Sequence, residues 1–252
     1  MTKRDDIVVF LDEHLKIGEV QDDSWNGLQF EGKEIVKKIV TAVDAAEETF
    51  ERAVKAGADM VIVHHGQFWE KADPSIRGAA RKRFEILFKH NVSLYASHLP
   101  LDRHSVIGNN AQLLKIIGAK QQREAFMYHG MSIGYIGIFT KPVSVSDIAQ
   151  KLSASINAEC TVLPFGKEKI RTVGVCSGGG GFPAFNDAVK EGVDLYITGE
   201  TTEVYHLAKE AGIHVIFAGH HATETVGVKA LGETLQKRFD IPVEFIDIPT
   251  GL

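Results

Sequence analysis

Short continuous apolar runs alternate along the chain with longer stretches in which apolar residues recur every three or four positions, the pattern of buried strands alternating with amphipathic helices. The pattern occurs twice. Residues 53–66, AVKAGADMVIVHHG, and residues 188–200, AVKEGVDLYITGE, share a helix end, a glycine to close it (Gly57, Gly192), an aspartate (Asp59, Asp194) and an apolar strand that stops at a polar turn. Upstream, KKIVTAVDA (37–45) matches EKIRTVGVC (168–176), and downstream NVSLYASH (91–98) matches GIHVIFAGH (212–220). Each copy reads strand, helix, strand, helix, strand, which predicts a mostly parallel sheet with helices on both faces. The expected fold class is α/β: two α/β domains with mostly parallel sheets flanked by helices, related by a candidate internal repeat. Shared α/β grammar alone would also give similarity this short.

Around the copies, the spacing predicts a first helix over about residues 3–16, a hinge-like stretch DDSWNGLQFEG (22–32), a strand SIGYIGIF (132–139), and a helix SVSDIAQKLSASI (144–156) with Ser144 or Ser146 as its N-cap. A terminal helix begins after His221, and IPVEFIDIPTG forms a last strand. The expected domains are 1–125 with 225–252, and 126–224.

The 252 residues carry 28 Lys plus Arg against 33 Asp plus Glu, a net charge of −5, which disfavours a strongly basic nucleic-acid binder as a description of the whole chain. No apolar run approaches the roughly 18 residues of a membrane span, and the N-terminal residues are charged rather than signal-like, so a cytoplasmic location without membrane association is expected. Cys160 and Cys176 form no disulfide framework and lack the paired spacing of a thiolate metal site. Eleven histidines are the unusual part of the composition.

Their positions matter more than their number. In open parallel sheets ligands bind at the carboxyl ends of strands, and those ends here carry His64-His65-Gly66, His98-Leu-Pro-Leu-Asp102 and His220-His221-Ala-Thr-Glu224. Pro100 argues for a loop at the second, whereas His220 and Glu224 have the i,i+4 spacing of one helix face. A lone histidine at a strand end is usually a capping or surface group. Three such clusters at matching positions, with imidazoles beside carboxylates, form a ligand set for zinc, iron or manganese, and exceed what one tetrahedral ion needs.

These segments, VIVHHGQFW, SHLPLD, DLYITGE and GHHATE, with WNGLQFEG and the VCSGGGG turn, resemble the Nif-three-like proteins, also known as GTP cyclohydrolase type 2 homologues, in order and over almost the whole chain. The resemblance implies a two-domain α/β protein assembled as a toroidal hexamer, with a dinuclear metal centre of two divalent ions per chain facing an internal cavity. It further implies that His65 and Asp102 hold one ion, His64 and His220 the other, and Glu224 both, with His98 beside them as an occasional or indirect ligand. The interval between the halves is too short for the inserted domain of the long family members.

Weaker signals remain. The SGGGG turn (177–181) reads as a tight structural turn or as an anion cradle, and is no Walker loop. Glu200, which falls where His65 falls in the other copy, reads as a general base beside Glu224 in the catalytic set, or as a helix cap. His206 reads as packing or solvent contact. Trp25, Phe68 and Trp69 read as core or as a pocket that stacks a base. The preferred function is a dinuclear metal-dependent hydrolase of a nucleotide or related phosphoester or purine, acting through a metal-bridging water. The rivals are a ring-shaped hexamer that admits single-stranded DNA, with Arg77, Arg81, Lys82 and Arg83 facing its opening, and a metal-handling or regulatory protein without turnover.

Overall fold

The computed structural model describes residues 1–252. The chain divides into two compact units, Met1–Leu101 with Val228–Ile248, and Asp102–Gly227 with Pro249–Leu252. In chain order the elements are β1 (Thr2–Lys3), α1 (Arg4–Leu15), β2 (Gly27–Phe30), β3 (Ile35–Val36), β4 (Ile39–Asp44), α2 (Glu47–Lys55), β5 (Met60–His65), α3 (Ala79–His90), β6 (Ser93–Ala96) and α4 (Leu99–Asp102). There follow α5 (Asn109–Ile117), β7 (Lys120–Tyr128), β8 (Met131–Val143), α6 (Val145–Ile156), β9 (Thr161–Pro164), β10 (Ile170–Cys176), α7 (Gly181–Lys190) and β11 (Leu195–Thr198). The chain closes with α8 (Tyr205–Ala211), β12 (His214–Phe217), α9 (His220–Phe239) and β13 (Val243–Phe245).

In the first unit the five strands lie in the order β13-β4-β5-β6-β2. The first four are mutually parallel, and β2 pairs antiparallel with β6 along the edge. Strands β4, β5 and β6 are buried almost throughout, which is why they read as unbroken apolar runs rather than as an alternation. Their core gathers Val40, Val61, Val63 and Leu94 against Phe50 of α2 and Phe84 and Leu87 of α3. The hinge-like stretch is thus partly an edge strand, too short and too rich in polar residues to announce itself.

The second unit holds six strands in the order β7-β8-β10-β11-β12-β9. Its centre, β10-β11-β12, is parallel like β4-β5-β6, but β8 and β9 flank it antiparallel and β7–β8 is a hairpin, so this sheet is mixed. Ser144 caps α6, its side chain accepting from the Asp147 amide at 3.1 Å. The expected domain boundary near residue 125 moves to Leu101/Asp102 because α5 packs Leu113, Leu114 and Ile117 into the core with Ile148 and Leu152 of α6. The later boundary falls within α9, at Gly227/Val228 rather than 224/225.

The repeated aspartates perform the same task in each unit. Asp59 accepts from Lys33 Nζ at 2.7 Å and the Lys37 amide at 2.8 Å, and its own carbonyl receives the Ser93 amide. Asp194 accepts from Lys167 Nζ at 3.0 Å and the Arg171 and Thr172 amides, and its carbonyl receives the His214 amide. Each aspartate therefore ties the starts of three parallel strands together, and the candidate repeat has a shared structural device behind it.

Burial works to raise both carboxyls, but these hydrogen bonds outweigh it and hold each below the ordinary carboxylate value. A carboxyl depressed in the folded state stabilises above its unfolded pKa, near ~4, and loses that contribution as pH falls through the folded value. Stability should therefore fall in acid below about pH 4, and Asp59→Asn or Asp194→Asn should flatten that fall. Urea unfolding across acidic pH checks this; unchanged pH profiles in both variants would remove the assignment.

Candidate metal centre

The register of the first sheet sets Asp44, at the end of β4, beside His65, at the end of β5. Asp44 Oδ1 lies 2.8 Å from His65 Nδ1. His64, one residue earlier and fully buried, places its Nδ1 3.0 Å from the Ser97 carbonyl. His98 follows β6, with Nδ1 2.8 Å from Asp22 Oδ1. His64, His65 and His98 each offer a ring nitrogen within 4.8 Å of the others. Each of these rings has Nδ1 against an oxygen, the arrangement by which metal-binding histidines that ligate through Nε2 are usually held.

Asp22 is the organising group of this half. Its carboxylate accepts from the Ser24 and Leu99 amides and from Asn26 Nδ2 as well as meeting His98, while Asn26 Oδ1 receives the His98 amide. Burial would raise the Asp22 carboxyl, but His98, Asn26 and Ser24 outweigh it and hold it at about 2. The Leu99 contact also explains why His98-Leu-Pro-Leu-Asp102 is not the loop that Pro100 suggested. Residues Leu99–Asp102 form one helical turn, and a proline is compatible with the first turn of a helix, where no intrahelical partner exists for its missing N–H.

In the second unit, Asp102 is buried and its Oδ1 accepts from Asn109 Nδ2 at 2.8 Å and Ser177 Oγ at 3.0 Å. His220 and Glu224 occupy the first turn of α9, with His220 Nε2 3.1 Å from Glu224 Oε1. Glu224 is only 2% exposed, and its carboxylate lies within 4.8 Å of that of Asp102. Two carboxylates buried this close beside an imidazole form the electrostatic setting that a cation compensates. Glu200 Oε1 meets His220 Nδ1 at 2.7 Å, so the fourth histidine is held like the first three.

The glycine turn serves this half-site. Gly178 has φ +60°, and a Cβ there would run into Glu224 Oε1 and lie 3.1 Å from His220 Nε2. The Ser177, Gly178 and Gly180 amides are engaged by Asn110 Oδ1, Thr223 Oγ1 and Thr198 Oγ1, which supports the tight-turn reading over the anion cradle. Gly178→Ala should cost about 1–3 kcal/mol through its left-handed backbone and displace Glu224. Thermal unfolding and metal content check it; a variant unchanged in both would show that the turn tolerates a side chain.

The remaining candidates separate. His206 is exposed on α8. Arg77 and Arg81 pair with Asp73 and Glu85, and Arg83 donates to the Ala45 carbonyl, so three of the four basic residues of the run have partners within their own unit. Trp25, Phe68 and Trp69 line a common cleft. Asp22 and Asp44 were not singled out by the sequence reading; the available signal was a carboxylate at the end of β4, and another in the loop before β2. Asp44→Asn should weaken metal binding by about tenfold or more while leaving the fold intact. Metal titration with circular dichroism checks it, and wild-type affinity would deny Asp44 an orienting role.

Two α/β units whose parallel strands end in histidines and carboxylates define the class, and the chain belongs to the Duf34/NIF3 (NGG1p interacting factor 3) family, whose model matches residues 2–251. The GTP cyclohydrolase 1 type 2 homolog of Archaeoglobus fulgidus is 48% identical over 248 residues, covering 98% of each chain. The Escherichia coli protein of the same name is 41% identical over 252 residues, again covering 98% of each. The crystal structure of TTHA1606 from Thermus thermophilus is similar at a TM-score of 0.89 and 38% identity, with 100% of both chains covered. No helix of this chain is long and apolar enough to cross a membrane.

Proposed function

We propose that this protein is a divalent-metal-dependent hydrolase acting on a nucleotide or a related phosphoester or purine substrate, in the cytoplasm and as a homo-oligomer, a hexamer by family resemblance. In this reading His65 and Asp102 hold one ion, His64 and His220 the other, and Glu224 both, with His98 beside them. The observation that carries it is the common treatment of four histidines: His64, His65, His98 and His220 all have Nδ1 against an oxygen, three of them against a carboxylate. Nitrogen and oxygen donors together suit zinc, iron or manganese.

Bound divalent ions would supply Lewis acidity and lower the pKa of water to near neutrality. The protein's part is to fix the ligands. Asp44, Asp22 and Glu200 set the tautomer and tilt of His65, His98 and His220. Asn109 and Ser177 hold one oxygen of Asp102. Glu200 then acts through His220 as a positioning residue, in place of the general base read from sequence.

The name carried by the relatives makes GTP the first substrate to test. Turnover of GTP, other nucleotides or phosphoesters should disappear with a chelator and return with added divalent ions. A fully metal-loaded protein inert toward all of them would favour the metal-handling rival. The partners held by Arg77, Arg81 and Arg83 lend no support to single-stranded DNA as the partner, and salt-dependent binding of single strands would favour it.

A further inference from the structure

Beside the histidines of the first unit lies a cleft of about 560 Å³ that the metal ligands do not use. Trp69 forms one part of its lining. Its indole N–H donates to the Gly66 carbonyl at 3.1 Å, which fixes the ring, and the same ring lies 5.0 Å from His98 and 6.0 Å from His65, centroid to centroid. Trp25, which also lines the cleft, is 67% exposed, although its backbone is pinned by a hydrogen bond from its amide to the Phe68 carbonyl. Gln29 braces the two segments, accepting from the Gln67 amide and donating to the Trp25 carbonyl. Large aromatic surface held open on a braced frame is suited to stacking a flat ring.

The polar lining narrows the choice of ring. No lysine or arginine lines the cleft, which argues against a phosphate group inside it. Four of its donor groups already have a partner: Asn26 Nδ2 with Asp22, Gln29 Nε2 with Trp25, Gln67 Nε2 with Ala45, and the Trp69 indole with Gly66. Of the two carboxylates at the cleft, Asp73 is committed to Arg77 and the Ser75 amide, while Glu70 is exposed at the rim. The cleft offers stacking surface and, at Glu70, an exposed anionic acceptor, and suits a heterocycle whose edge presents donors to it.

We propose that this cleft is a nucleobase subsite for a guanine-type heterocycle, with Trp25 and Trp69 as stacking surfaces and the Glu70 carboxylate accepting the ring N–H and amino hydrogens. Adenine, which lacks a ring N–H on that edge, and a bare sugar phosphate are poorer fits. The proposal deepens the hydrolase reading and rests on it for the purpose of the cleft, but not for binding itself.

Trp25 and Trp69 are the only two tryptophans in the chain, so intrinsic fluorescence reports the cleft directly. Metal-free protein, held in chelator, is titrated with guanosine, adenosine and ribose 5-phosphate, with equilibrium dialysis as a second readout. Saturable quenching by guanosine is expected, weaker quenching by adenosine, and none by ribose 5-phosphate. Trp25→Ala should weaken guanosine binding by about tenfold or more, and Glu70→Gln should weaken guanosine by about tenfold while leaving adenosine unchanged. Both residues are exposed, so these variants should fold. Absence of saturable guanosine binding, or guanosine affinity unchanged in both variants, overturns the subsite; equal loss for both nucleosides in Glu70→Gln overturns the guanine-type assignment. Guanosine binding by a protein that takes up no metal would sink the hydrolase reading and leave the subsite standing, and the converse result would do the reverse.

Discussion

Glu224→Gln is expected to lower the occupancy of both ions together, from about two per chain to well below one. Glu224 is buried on the first turn of α9, faces His220 Nε2 at 3.1 Å, and is covered by a glycine whose missing side chain leaves it room. Glutamine keeps the length and shape of the side chain, so packing against Gly178 is preserved. What disappears is one negative charge in a setting where water cannot replace it. If Glu224 serves both ions, both lose an anionic ligand; if it serves one, the other keeps its affinity. Metal analysis and calorimetric titration of the variant distinguish these outcomes, and one ion retained at wild-type affinity would refute the bridging assignment.

Glu200→Ala should weaken metal binding by about 10–100-fold, and Glu200→Gln should restore most of it. The two variants differ in one respect. Alanine removes the oxygen that meets His220 Nδ1 at 2.7 Å and frees the ring to rotate, whereas the glutamine carbonyl oxygen can still accept from that nitrogen. A general base gives a different pattern: Glu200→Gln would then keep its metal and lose about a hundredfold or more in rate, because an amide takes no proton. Metal affinity and the rate at saturating metal, measured on both variants, separate positioning from proton transfer. Unaltered metal affinity in Glu200→Ala would contradict the positioning role.

What was legible in the sequence follows from the length scale of each signal. The strands β4, β5, β6, β11 and β12 announce themselves because each is buried on both faces within a few residues, and the histidines stand at or just beyond the ends of β5, β6 and β12. The partners of those histidines were not legible. Asp44 lies 21 residues from His65, Asp22 lies 76 from His98, and Glu200 lies 20 from His220, so each pairing exists only once the sheet register or the loop path is set. The i,i+4 pairing of His220 and Glu224 was legible because a helix brings those positions together locally. Pro100 misled because its effect depends on whether it enters a helix at the first turn or later. The domain boundary was displaced because α5 has an apolar face that could serve either unit, and only packing against α6 decides which.

Inductively coupled plasma mass spectrometry of the protein, loaded with zinc, iron or manganese and then dialysed against metal-free buffer, counts the ions that the histidines and carboxylates hold. About two tightly held divalent ions per chain are expected, and about one when His64 and His220, the two histidines assigned to the same ion, are both replaced by alanine in a chain that still folds. A wild-type protein that retains essentially no metal after dialysis, or a double variant that retains both ions, would show that these residues form no such centre.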